Sequence, residues 1–387
     1  MTGEAAAPLA LRLTRLTLTG FRSYESLVWR SSARMVAIAG PNGSGKTNLL
    51  EAISLLSPGR GLRGARVAEY LRHGAAHWAV AGRFTTLAGE SDIGTGTEPD
   101  APDRRVFRLD GATPRSQAEI AERVAAVWLT PQMDRLFQEG ASGRRRFLDR
   151  LVYAVEPGHA REVAAYESAT ASRNRLLGEG RADRAWLAGI EDAMARHAVA
   201  ATAARADLVA RLNAALEGGA AGDFPAARVG LTCPIAERLA GGPALAAEDW
   251  LRETLAANRA RDAAAGGAAV GAHRADMTLA DAASGLPAGL ASTGQQKALL
   301  IGVLLGHAAL LAAARGFGPL LLLDEPAVHL DQDRRTALFA ALARLPAQVF
   351  MTGTDIETFM PLRGLAEAVL AGGGGLRPAP GFDAAEA

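Results

Sequence analysis

The sequence predicts an α/β fold: a mixed sheet with flanking helices, interrupted by an inserted helical domain. Three observations predict it. The glycine-rich segment GPNGSGKT, residues 40–47, follows a short apolar strand and opens a helix. The apolar run PLLLLDEP, residues 319–326, ends in the acidic pair Asp324 and Glu325. Between these two segments, from about Arg144 to Ala264, the hydrophobic period is helical.

The elements follow in order. Leu11–Leu18 alternates apolar and polar residues with one slip of phase at Arg15, the pattern of a half-buried strand. Thr19, Gly20 and FRSY (Phe21–Tyr24) turn the chain back. Met35–Ala39 is a short apolar run ending in Gly40, as a buried strand feeding a glycine loop should be, and Lys46–Leu56 reads as a helix. Glu90–Arg105, polar and rich in Gly, Asp and Pro, reads as a loop or hairpin tip. Val124–Thr130 reads as a strand. Arg144–Glu156 and Arg161–Leu177 suit two helices, and Arg184–Leu216 suits one long helix or a broken pair. Glycine-rich breaks at Gly218–Gly222 and Gly241–Gly242 flank a short segment around Arg228–Pro234. Trp250–Ala264 is a further helix and Ala265–Gly271 a small-residue linker. Ala298–Ala314 is the most hydrophobic stretch. It is short for a membrane span and interrupted by Gly302, Gly306 and His307, so a buried core helix is expected. Pro319–Leu323 and Val349–Thr352 read as strands, and Ala371–Ala387 as a loose tail. The expected division is a first part of the nucleotide head over 1–143, a helical arm over 144–270, a second part of the head over 271–370, and the tail over 371–387.

Bulk properties narrow the function classes. A net charge of +1 argues against a strongly cationic, DNA-coating protein but allows a local basic patch. The single cysteine, Cys233, rules out an intramolecular disulfide and any cysteine-cluster metal site. A soluble, cytoplasmic protein without signal peptide or membrane segment is expected. Of 42 basic residues only Lys46 and Lys297 are lysines, and both lie in motifs read as nucleotide-binding.

The chemistry sits in a few motifs. In GPNGSGKT the residues Gly40, Pro41, Asn42, Gly43, Ser44, Gly45, Lys46 and Thr47 match the phosphate-loop pattern in full, with Asn48 following. Glycines let the backbone wind closely around phosphates, and the amides of residues 43–47 can point at the anion beside a helix N-terminus. Lys46 would contact the outer phosphates of ATP, and the Thr47 hydroxyl would hold Mg²⁺. Asp324, at the carboxyl end of a buried strand, would hold the same Mg²⁺ through water, and Glu325 would orient or deprotonate the attacking water. Two arginine groups are candidates for DNA contact: Arg60, Arg63 and Arg66 among glycines, and Arg144, Arg145, Arg146 and Arg150. The alternative for each is a solvated face or internal salt bridge, which is the favoured reading for the second group. His273, flanked by Arg274 and Asp276, is read as structural or as a coupler of the arm to the nucleotide site.

STGQQKALL, residues 292–300, resembles the signature motif of ABC-type ATPases, in which one subunit's signature caps the ATP held by the other. That resemblance implies an ATP-dependent homodimer in which Ser292, the Gly294 amide and Gln295 approach the γ-phosphate across the interface. It implies that Asp331, in HLD, aligns the subunits, and that Gln132 after the Val124–Thr130 strand senses Mg²⁺ and water. The family's switch histidine is missing from FMTGTD, residues 350–355, with Thr352 or Asp355 as replacements. The interval from Thr47 to Ser292 is far longer than in transporter ATPases, and the sustained heptads of long chromosome ATPases are absent.

More specifically, FRSY, GPNGSGKTNLLEAI, SGRRRFLD (142–149), YESATASRNRLL (166–177), GAHRADM (271–277) and STGQQK occur in the order of the RecF family of bacterial recombination and replication-repair ATPases, and the chain resembles that family over nearly its whole length. Glu325 departs from it, since many members have Asp there, as do Gln132 and the alanines of GAHRAD. The resemblance implies binding of double-stranded DNA near gaps and single-strand junctions, cooperation with RecR and RecO in loading RecA, and slow, DNA-stimulated ATP hydrolysis. A transporter ATPase subunit and a nucleotide-gated clamp with negligible hydrolysis are the alternatives.

Overall fold

In the computed structural model of this chain, residues 11–180 and 183–382 are described. Residues 1–10 of the expected head and 383–387 of the expected tail lie outside them. The chain divides by packing into two units. One comprises the chain up to Asp134, Gly219–Pro225, and the chain from Ser292 onward; the other comprises Arg135–Gly218 and Ala226–Ala291.

In chain order, β1 (Leu11–Phe21) and β2 (Tyr24–Arg30) form a hairpin. Its two-residue turn places Arg22 in the left-handed region, φ +52°. β3 (Met35–Ala39) runs into the glycine loop and α1 (Lys46–Leu55) leaves it. β4 (Ala79–Thr86), β5 (Gly89–Glu98) and β6 (Ala101–Leu109) form a meander, followed by α2 (Gln117–Arg123) and β7 (Ala126–Leu129). The second unit carries α3 (Ala141–Val155), α4 (His159–Glu179), α5 (Arg184–Glu217), β8 (Ala227–Thr232), α6 (Pro234–Gly241), α7 (Ala244–Ala257), α8 (Arg259–Ala265) and β9 (Asp276–Asp281). The last elements are α9 (Thr293–Arg315), β10 (Leu320–Leu323), α10 (Gln332–Arg344), β11 (Gln348–Gly353), β12 (Glu367–Gly372) and β13 (Gly375–Pro378).

Among the described residues of the first unit there are two sheets. One is antiparallel in the order β2-β1-β4-β5-β6. The other, in the order β13-β12-β3-β11-β10-β7, is parallel except at β13. The parallel strands are short apolar runs because both their faces are covered; Leu320–Leu323 are essentially inaccessible. Side chains from both sheets and from α1 share one core, including Leu16, Leu18, Ile38, Leu50, Ile53, Leu322 and Phe350. Each such side chain contributes roughly 1.5–3 kcal/mol on burial. By length and composition α9 could cross a membrane, yet it is a core helix: Gln296–Ala308 are buried, and it packs against β7 and α10.

The second unit is mainly helical. The span Arg184–Leu216 is one uninterrupted helix, α5, and the antiparallel pair β8–β9 accompanies it. Its apolar core includes Tyr166, Met194, Val199, Ile235 and Leu251. A buried ionic cluster lies beside it. Arg173 donates to Glu191 at 2.9 Å, to Asp262 at 2.8 Å and to the Leu255 carbonyl at 2.7 Å.

Some expectations need correction. Of the two readings of Glu90–Arg105 the loop fails: it is a hairpin made of most of β5 and β6, with only Pro99–Asp100 as its tip. Of the alternating inward positions of β5 only Ile93 is apolar, the others being Ser91, Thr95 and Thr97, so the alternation carries little hydrophobic contrast. The Ala371–Ala387 segment is not loose where described. Gly373 and Gly374, φ +59° and +75°, close a hairpin between β12 and β13 on the sheet edge. Trp250–Ala264 is interrupted at Asn258 into α7 and α8.

Candidate nucleotide site

The glycine loop connects β3 to α1, and each glycine in it has a steric reason. A Cβ on Gly40 (φ +154°) would lie 2.6 Å from the Ala371 carbonyl, and one on Gly45 (φ +99°) 2.9 Å from both the Ser23 and Tyr24 hydroxyls. Gly43 (φ +80°) faces open space. Lys46 is buried, and its ammonium donates to the loop's own carbonyls, Gly40 at 2.6 Å and Pro41 at 3.0 Å. The Ser44 hydroxyl is buried without a hydrogen-bond partner. An ammonium resting on carbonyls, an unpaired buried hydroxyl and an open left-handed glycine fit an anion of phosphate size.

Residues far from the motif brace it. The Tyr24 hydroxyl donates to the Gly45 carbonyl at 3.1 Å, and burial raises its pKa to about 12, so it stays a donor. Asn48 donates to the Ser23 hydroxyl at 3.0 Å and accepts from Arg63 at 2.9 Å. Glu51, inaccessible on α1, pairs with Arg22 at 2.9 Å and with Arg63 at 3.1 Å. Ser23, Tyr24, Arg22 and Glu51 were not among the residues predicted to build the site. FRSY is the signal that could have found the first three.

The acidic turn lies beside the loop. The Thr47 hydroxyl is 3.1 and 3.0 Å from the two Asp324 oxygens. Thr352, at the end of β11, donates to Asp324 at 2.7 Å and accepts from the Glu325 amide at 2.9 Å. One hydroxyl and one carboxylate thus converge, an all-oxygen pair suited to a hard divalent cation that keeps water and phosphate ligands. Glu325 is half-buried with φ +51°, uncommon for a residue with a side chain. Of the two replacements for the switch histidine, Thr352 therefore touches the acidic pair. Asp355 is exposed and bonded by the Thr354 hydroxyl. Gln132 is exposed on the 3₁₀ turn after β7.

Ser292 caps α9. Its hydroxyl accepts from the Gln295 amide at 3.3 Å while the Gln295 side chain accepts from the Ser292 amide at 2.9 Å, a reciprocal capping box. Ser292, Thr293 and Gln295 are exposed. Gly294 packs so closely that a Cβ would be 2.7 Å from the His329 carbonyl. Asp331 is exposed and caps α10 through the Arg334 amide at 2.8 Å. Lys297 does not face the nucleotide loop. It is buried, donating to the Glu325 carbonyl at 2.9 Å, with Asp134 at 3.7 Å. Burial dominates both partners of that pair, lowering the Lys297 pKa and raising that of Asp134 against their mutual attraction.

The arginine groups differ. Arg60 and Arg66 are exposed and line a cleft of about 490 Å³ with Gly59, Gly64, Tyr70 and Arg105, whereas Arg63 is engaged with Asn48 and Glu51. In the second group Arg144 grips Asp276 at 2.7 and 2.9 Å, Arg145 donates to the Ala275 carbonyl at 3.0 Å, and burial lowers the Arg150 pKa to about 9. Arg146 is exposed. The internal salt bridge holds for Arg144, and Arg145 is bonded internally to backbone. His273 bonds the Tyr166 hydroxyl at 2.5 Å and the Ala268 carbonyl at 3.0 Å, and burial lowers its pKa, which fits a structural role within the second unit.

Comparison with known proteins decides the family. The model of the RecF/RecN/SMC N-terminal domain matches residues 12–369. The DNA replication and repair protein RecF of Allorhizobium ampelinum is 46% identical over 92% of this chain and 96% of its own length. This chain belongs to the RecF family. RecF of Mesorhizobium japonicum is 45% identical over 93% of the chain and 96% of its own. A solved structure of the recombination mediator protein RecF-ATPrS in the RecFOR pathway superposes with a TM-score of 0.83 at 21% identity, covering 95% of this chain and 98% of that one. An Smc head domain from Pyrococcus furiosus gives a TM-score of 0.53 at 15% identity, over 95% and 96%. The solved RecF and Smc head structures share this fold, and the family is one of DNA replication and repair proteins.

Proposed function

We propose that this RecF-family chain is an ATP-operated DNA clamp of recombinational repair and fork maintenance in the cytoplasm. Two copies close on double-stranded DNA at gaps and single-strand junctions and, with RecR and RecO, assist RecA loading. Binding rests on the loop of residues 40–48: its amides and the Lys46 ammonium, released from the Gly40 and Pro41 carbonyls, hold the outer phosphates of ATP. Thr47 and Asp324 would hold Mg²⁺, which would neutralise phosphate charge, and Gln132 would respond to it. Glu325 orients or deprotonates the attacking water. Ser292, the Gly294 amide and Gln295 of one copy cap the γ-phosphate held by the other, and Asp331 aligns the copies. Hydrolysis is slow and stimulated by DNA. Arg60 and Arg66, with Arg63 at their base, contact phosphates irrespective of sequence.

The observation that carries this reading is the chain of bonds Thr47–Asp324–Thr352–Glu325, which places the nucleotide loop, the acidic turn and the end of β11 in one hydrogen-bonded array. The test is sizing with and without ATP, then ATPase assay with and without duplex DNA. ATP-induced dimers and DNA-stimulated turnover are expected. A chain that stays monomeric at saturating ATP with DNA present contradicts the clamp. Replacing Arg60 and Arg66 with Ala should weaken duplex binding and flatten its salt dependence by up to about two phosphate contacts. An unchanged salt slope removes those residues from the interface.

A further inference from the structure

We propose that Lys297 is a positioning residue that ties the acidic turn bearing Glu325 to the signature helix α9. The inference deepens the ATPase reading above and rests on it.

A buried ammonium costs several kcal/mol unless charge and hydrogen bonds offset it. Lys297, 1% exposed, has two offsets: the Glu325 carbonyl at 2.9 Å and the Asp134 carboxylate at 3.7 Å. The carbonyl it grips belongs to a residue whose φ of +51° costs energy and persists only where its surroundings hold it. On its amide side the same residue is held by Thr352 at 2.9 Å. The peptide units flanking Glu325 are thus clamped from two elements, α9 and β11, while its carboxylate makes no bond of its own to them. Three residues earlier on α9, Gly294 sits against the His329 carbonyl, at the other end of the same turn. Helix and turn therefore meet at two heights, and a displacement of α9 by a ligand at Ser292 moves the Glu325 backbone with it. Asp134 lies two residues after Gln132, so the turn following β7 joins the same linkage. A guanidinium would bring five donors to a space offering one carbonyl and one carboxylate oxygen, which accounts for lysine here in a chain otherwise furnished with arginine.

The test compares the wild-type chain with Lys297→Met and with the double variant Lys297→Met/Asp134→Asn. The single variant leaves a buried carboxylate and is expected to lose stability. The double variant removes both charges at nearly constant volume and is expected to fold, bind ATP within about threefold of wild type with KM unchanged, and lose about tenfold or more in kcat. In the same protein, amide exchange over residues 325–330 is expected to rise about tenfold relative to the loop 40–47. A double variant that keeps kcat within about twofold, that loses binding and turnover together, that leaves exchange over 325–330 unchanged, or that unfolds overturns the proposal. Wild-type protein that binds ATP without turnover counts instead against the hydrolysis reading, and exchange over 325–330 then decides whether Lys297 holds the turn.

Discussion

One carboxylate on α1 sets the approach to the glycine loop. Glu51 is inaccessible and receives Arg22 from the β1–β2 turn and Arg63 from the segment after α1. Removing it strands two cations against the helix, whereas removing Arg63, about a third exposed, leaves Arg22 in place. Glu51→Ala should therefore cost about 3–5 kcal/mol, and Arg63→Ala less than about 1 kcal/mol. Urea denaturation of both variants measures this, and equal losses would show that Glu51 is not the hub. The phosphate loop was legible because its eight residues are contiguous and match one pattern in full. Glu51 was not, because its partners lie 29 and 12 residues away and only the fold joins them. The role of Lys297 was illegible for a related reason: its motif opens at the exposed Ser292, but one turn later the helix faces the core.

Four strands of the parallel sheet, β3, β7, β10 and β11, were readable as apolar runs while β12 was not, and in the antiparallel sheet the phase slip at Arg15 had a structural cause. The β1–β4 register shifts between Leu13 and Arg15, a bulge that leaves backbone groups in need of partners. Gln348, buried at the start of β11, bonds the backbone next to the bulge. It accepts from the Leu13 amide at 2.7 Å and donates to the Leu13 and Ala33 carbonyls at 3.1 and 3.0 Å. Gln348→Leu keeps the volume and strands these groups, so the head should lose about 3 kcal/mol or more. A loss below about 1 kcal/mol in denaturant melts would mean that the bulge finds other partners. No local pattern announces such a residue, because its partners are backbone atoms more than 300 residues away in the chain. The helices of the second unit have an equivalent joint. Asp149 on α3 bonds His159 on α4 at 2.8 Å and Arg205 on α5 at 2.7 Å. Burial alone would raise its pKa; these hydrogen bonds outweigh that and hold it below the usual carboxylate range. A depressed folded pKa contributes stability above the unfolded value of about 3.9, lost as pH falls through the folded value. Asp149→Asn should remove that contribution and flatten the acid limb below about pH 4, seen by circular dichroism across an acid titration. An unaltered acid limb would assign the titration to another carboxylate.

For the whole molecule, the near-zero net charge conceals a separation of roles: arginines form struts and exposed surface, while the two lysines sit under the nucleotide loop and the acidic turn. The proposed dimer adds a constraint that can be tested without seeing it. If each ATP is held by the loop of one copy and the α9 start of the other, the lesions Lys46→Met and Ser292→Arg each abolish turnover alone but damage opposite halves of a site. Lys46→Met leaves Ser292 intact, and Ser292→Arg leaves the loop intact. Mixed in equal amounts with random pairing, half of the dimers contain one of each. By two-fold symmetry such a dimer has one site with both lesions and one with neither, so turnover should recover to about a quarter of wild type. Complementation of this kind cannot arise from sites contained within single copies, whatever their number. The measurement is steady-state phosphate release in the presence of duplex DNA as the mixing ratio varies. Recovery should peak at equal amounts and vanish at either extreme. A flat response at the level of the separate variants would mean that the loop and the helix start serve the same copy, and the clamp mechanism would have to be abandoned.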